Sequence, residues 1–83
     1  MMTAKQAKEL VEIARKAEIK AKIEKAERTC EELDGVIKIR ASNRYTTLTT
    51  EIEAEIRSYV IQILHDNGYK TAINFDNTIT VEW

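Results

Sequence analysis

Thr3–Leu33, TAKQAKELVEIARKAEIKAKIEKAERTCEEL, is the stretch on which the reading of the fold turns. It contains no Gly or Pro and is dominated by Ala, Lys, Glu, Ile and Leu, so it predicts one uninterrupted helix. Thr3 and Gln6 have the spacing of a capping box, and Asp34-Gly35 has the composition of a helix stop. At 1.5 Å per residue such a helix is roughly 45 Å long. A compact chain of this size has a radius of gyration of about 12 Å. The helix is therefore expected to overhang its own domain.

The pattern along the helix supports that expectation. With 100° per residue, Ala7, Leu10, Val11, Ala14, Ala17 and Ala21 centre near roughly 320°. Ile19, Ile23, Ala26, Cys30 and Leu33 centre near roughly 120° on the same wheel. A helix lying on one sheet throughout keeps its stripe on one side. The second stripe is expected to cover the core and the first to face something else. Ala7, Ala14 and Ala21 repeat every seven residues with Leu10 and Ala17 between them, the period of a helix–helix seam. These five residues are the candidate self-association surface. Glu12–Lys16, Glu18–Lys22 and Glu24–Arg28 are spaced to support an exposed helix. Lys5, Lys8, Lys16 and Lys20 do not form a phosphate-binding row, because Glu9, Glu12 and Glu24 interleave with them.

Beyond Leu33 the chain reads as a compact β-α-β-β unit, and residues 1–83 as one domain. Gly35–Ala41 alternates in the strand manner, with Ile37, Ile39 and Ala41 on one side. A second helix is expected to start among Thr46, Thr47, Thr49 and Thr50, with Thr50 and Glu53 as a capping box. Leu48, Ile52, Ile56, Tyr59, Val60, Ile63 and Leu64 form its apolar stripe, and Asn67-Gly68 ends it. Tyr69–Trp83 reads as a hairpin. A three-residue loop, Asp76–Thr78, pairs Phe75 with Ile79 and Ile73 with Val81, keeping the apolar rows on one face. The fold class is α+β, a two-layer sandwich in the order α-β-α-β-β. Its sheet is small, antiparallel and three-stranded, and a hairpin strand is expected at the centre.

Composition bounds the function. Hydrophobic content is 43% and charged content 33%, the balance of a folded chain. A net charge of −1 supplies no general field for nucleic acid or an anionic membrane. One cysteine, no signal-like apolar run and no membrane-length stretch point to a cytoplasmic setting. His65 sits beside Asp66 on the polar side of its helix, and Cys30 falls in a core-facing stripe. One Cys and one His cannot ligate zinc within one chain, and two glycines cannot build a phosphate loop. The expectation is a protein without enzymatic activity or cofactor.

Two further surfaces are binding candidates. Ala54, Ser58 and Ile61 would lie on one line along the back of the second helix, as a second partner surface. Lys38, Arg40 and Lys70 would face solvent on the open side of the sheet, near Tyr45 and Tyr69, where a nucleic-acid backbone could be contacted. The first reading is a self-associating protein-binding module; the alternative is a small nucleic-acid-binding protein.

The C-terminal third carries a resemblance. Ile63-Leu64, Asn67-Gly68-Tyr69, Ile73 and then Asn77-Thr78-Ile79-Thr80-Val81-Glu82-Trp83 resemble the tail of small phage and prophage accessory proteins, which run helix, Gly-Tyr, hairpin and terminal Trp. The resemblance implies a viral accessory protein, oligomeric, that inhibits a host or defence protein or sequesters a ligand in the host cytoplasm. It covers about 20 residues and carries over no site residue.

Overall fold

A computed structural model describes all residues, 1–83. Its elements are α1 (Ala4–Ser42), β1 (Thr47–Glu51), α2 (Arg57–Asp66), β2 (Lys70–Ile73) and β3 (Thr78–Glu82). This is the expected α-β-α-β-β order, with a three-stranded antiparallel sheet ordered β1-β3-β2. The molecule measures 64 × 25 × 17 Å and its Cα radius of gyration is 17.2 Å. The excess over a compact chain comes from α1.

The capping box forms as read. Thr3 Oγ1 accepts from the Gln6 backbone N–H at 3.2 Å, and the Thr3 N–H donates to Gln6 Oε1 at 3.0 Å. The far end of α1 differs from the sequence reading: the helix passes through Asp34-Gly35 and takes in all of Gly35–Ala41, which is not a strand. Ala26, Cys30, Leu33 and Ile37 are spaced four, three and four, so helical continuation keeps Ile37 in line with the buried stripe. Ile37 is buried while Ile39, which a strand would bury beside it, is exposed. Gly35 costs the helix about 1 kcal/mol relative to Ala, less than burying Ile37 returns.

α1 stops instead at Asn43-Arg44-Tyr45. The Tyr45 N–H donates to the Arg40 carbonyl and the Arg44 N–H to the Ala41 carbonyl, both at 3.0 Å. That is a Schellman cap, with Arg44 holding the left-handed position at φ 68°. The Arg40 guanidinium lies over the Tyr45 ring, 5.3 Å from its centroid. α2 ends the same way, as its sequence predicts. Gly68 takes φ 87°, with Tyr69 N–H to Leu64 O and Gly68 N–H to His65 O both at 3.0 Å.

Thr47, Thr49 and Thr50, read as the start of the second helix, lie in β1, so the Thr50/Glu53 capping box does not exist. α2 begins only at Arg57, and its cap residue Ile56 makes no side-chain capping bond. The stripe residues nevertheless meet in the core. Buried together are Ala26, Leu33 and Ile37 of α1, Leu48 of β1, Ile52 and Ile56 of the connector, Val60 and Leu64 of α2, and Ile79 and Val81 of β3. β3 holds the centre of the sheet, so its inward residues are the best enclosed.

The hairpin register is two residues from the predicted one. Ile73 pairs with Ile79 and Thr71 with Val81, leaving the five residues Asn74–Thr78 between the last paired positions. An even shift preserves which face each residue occupies. The loop is closed by the Asn74 N–H to Thr78 O bond at 2.9 Å, with Asn77 left-handed at φ 63°. Phe75, expected within the strand, is fully exposed at its tip.

Candidate interaction surface

α1 joins the body from Ala26 onwards; upstream of it, every residue from Met1 to Lys25 is exposed except the half-buried Lys22. The arm is thus a helix in solvent. Ala7, Leu10, Ala14, Ala17 and Ala21 all lie on it, on a face roughly 150° from the buried stripe. Ile13 borders the same face. Leu10 and Ile13 are 52% and 64% exposed, so the arm presents large side chains as well as small ones. Ile19 and Ile23, expected over the core, continue its line past the edge of the body and remain exposed.

The charge pairs differ from those the spacing suggests. Lys38 pairs with Asp34 at 3.0 Å within the helix, and Lys25 pairs with Glu53, tying the root of the arm to the β1–α2 connector. Neither Glu12–Lys16, Glu18–Lys22 nor Glu24–Arg28 closes to ion-pair distance.

The other two candidate surfaces are not assembled. Ala54 lies ahead of α2, in the connector, so it shares no helix face with Ser58 and Ile61. Ile61 is half-buried against the core. The line required α2 to begin near Thr50. Lys38 and Arg40 lie on α1, so only Lys70 of the proposed nucleic-acid contacts belongs to the sheet. The open face of the sheet is lined by threonines, with Thr49 Oγ1 3.1 Å from Thr80 Oγ1. Lys70 there stands beside Glu82, its partner across the strands. It is not a basic surface.

His65 is exposed and its Nε2 lies 2.8 Å from Thr71 Oγ1. Cys30 is half-buried, with Sγ 3.9 Å from the Val60 carbonyl, and burial pushes its thiol pKa up. No group of three or more His, Cys, Asp or Glu side chains is placed to hold a metal ion, and no helix is long and apolar enough to cross a membrane.

One feature escapes the sequence reading. Between α1 and the end of α2 runs an open groove of about 500 Å³. Cys30, Ile37, Ile63 and Tyr69 supply its apolar floor, and Glu27, Glu31 and Asp34 stand along its α1 edge. The groove exists because α1 continues past Gly35 to lie against α2. With Gly35–Ala41 read as a strand, Ile37 is taken out of its floor. The 27, 31, 34 spacing, one acidic edge beside the 26, 30, 33, 37 stripe, was the available signal.

Fold and surface together define a small two-layer α+β protein with a projecting helical arm. The chain matches no protein-family model, no curated protein and no solved structure.

Proposed function

We propose that this protein is a binding module without enzymatic activity that self-associates through its N-terminal arm. The observation that carries the reading is the arm itself: a helix clear of its body with Leu10, Val11 and Ile13 held in solvent. Leu10 and Ile13, three residues apart, share one side of a helix with no intrachain partner there, so together they form an exposed apolar pair suited to a helix–helix contact. The seam of Ala7, Ala14, Ala17 and Ala21 lets a second backbone approach closely. The narrower reading, a phage accessory protein that occupies a host or defence protein, is supported by the C-terminal resemblance alone.

Light scattering behind size exclusion tests the reading, on the intact chain and on Ala7→Glu/Ala14→Glu/Ala21→Glu. The expected outcome is an oligomeric intact chain and a folded, monomeric variant. A monomeric intact chain at high micromolar concentration overturns self-association.

A further inference from the structure

The charges of the chain are divided unevenly along it. Residues 1–25, the arm, carry seven lysines and arginines against four glutamates, a net of +3. Residues 26–83 carry six cations against ten carboxylates, a net of −4. A near-neutral protein is therefore built from a basic arm and an acidic body. The body's acids include the edge of the α1/α2 groove, where Glu27 and Glu31 make no ion pair. The groove has an apolar floor and the arm has exposed apolar side chains. Each half of the molecule presents what the other half would bind.

The arm cannot reach its own groove, because both belong to one continuous helix. A second copy can. We propose that the groove between α1 and α2 receives the basic arm of another copy of this chain, in an antiparallel, reciprocal dimer. This rests on the self-association reading and names the surface that the arm meets. With the two-fold axis near Ala21-Lys22, Leu10–Ile13 of one copy lie about ten residues from the axis, roughly 15 Å. The groove centre, near Glu31, lies at the same distance on the other side. One symmetry operation thus fills both grooves and leaves no free arm, which closes the assembly as a dimer. The recognition is helix-in-groove: Leu10 and Ile13 stand level with Leu33 and Cys30 and enter the apolar floor, while Lys16 stands level with Glu27. A parallel dimer would instead stack basic arm on basic arm and acidic body on acidic body.

Cys30, the only cysteine, lies in the groove and serves as the reporter. The Ile13→Cys chain, mildly oxidised, is expected to form an interchain disulfide between position 13 of one copy and Cys30 of the other. The Ile13→Cys/Cys30→Ala chain is expected to form none, since the two positions 13 would stand roughly 25 Å apart. Charge reversal gives a second, independent readout. Glu27→Lys and Lys16→Glu, each reversing the contact twice in the symmetric dimer, are each expected to weaken it at least tenfold at low salt. Mixed together they are expected to recover it as a heterodimer, because both arm–groove contacts are then complementary. A 13-to-13 disulfide, or dimers indifferent to both reversals, overturns the groove while leaving self-association standing. A monomeric intact chain by light scattering overturns both.

Discussion

Two residues in the same structural position show how much one side chain decides. Gly68 and Arg44 each take the left-handed place in a Schellman cap, and only Gly68 was legible, because glycine enters that region without steric cost. Arg44 carries no such signal, while Gly35, which does, sits inside a helix with open space around its α-carbon. Gly35→Ala is therefore expected to stabilise the fold by about 1 kcal/mol, and Gly68→Ala to destabilise it by a similar amount. Urea unfolding of both variants checks this; a destabilised Gly35→Ala would mean that the helix does break there. At the hairpin loop, Asp76 Oδ1 accepts from the Thr78 hydroxyl at 2.6 Å and from the Thr78 N–H at 3.3 Å. These bonds, the hydroxyl first, hold the carboxyl below its ordinary 3.8. A depressed carboxylate stabilises the fold above its ordinary pKa, and that contribution is lost as pH falls through the folded value. Thr78→Val is expected to move the Asp76 titration upward without restoring it fully, since the backbone bond remains. An NMR titration that does not move removes the hydroxyl as the main cause.

At the scale of elements, core membership was easier to read than element type, and the reason is arithmetic. Leu48, Ile52 and Ile56 recur every four residues, which is close to one helical turn and also two strand repeats. Either structure turns them to one side, so the stripe found the core while placing its first residues in the wrong element. Gly35–Ala41 failed in the opposite way. Its period of two was real over the five residues Ile37–Ala41, but Ile37 also completes the 26, 30, 33 spacing of a helix already formed, and the longer periodicity won. The two readings predict different costs. In a strand Ile37 and Ile39 would be buried alike. In α1, Ile37 lies in the core and Ile39 is 67% exposed. Ile37→Ala is expected to cost about 2–5 kcal/mol and Ile39→Ala no more than about 0.5 kcal/mol. Equal losses in thermal or urea unfolding would contradict the long helix. The connector between β1 and α2 obeys the same logic: Ile56 lies in no regular element yet is nearly fully buried.

For the whole molecule, the overhang was legible because it follows from length alone, whereas the groove depends on how α1 and the end of α2 lie against each other, which no periodicity encodes. The arm poses an energetic question that bears on function. Isolated helices shorter than about 12–15 residues are marginal in water, even when rich in alanine. The arm avoids the cost of nucleation, because its C-terminal end is continuous with a helix held in the core from Ala26 to Ile37, and its N-terminal end is capped by Thr3 and Gln6. Its remaining hydrogen bonds are open to solvent and have no tertiary contact to protect them. Backbone amide exchange is therefore expected to separate the two halves of one helix in dilute solution. Residues 26–37 should exchange slowly, and residues 7–21 quickly. In the proposed dimer the arm gains protection as concentration rises, and 1 M salt is expected to remove part of that gain, because a Debye length of about 3 Å screens the attraction of basic arm for acidic body. The dependence on concentration is the decisive feature. An arm equally protected across a thousandfold dilution would owe its order to intrinsic helicity, and the exposed pair Leu10 and Ile13 would then need a partner other than this chain.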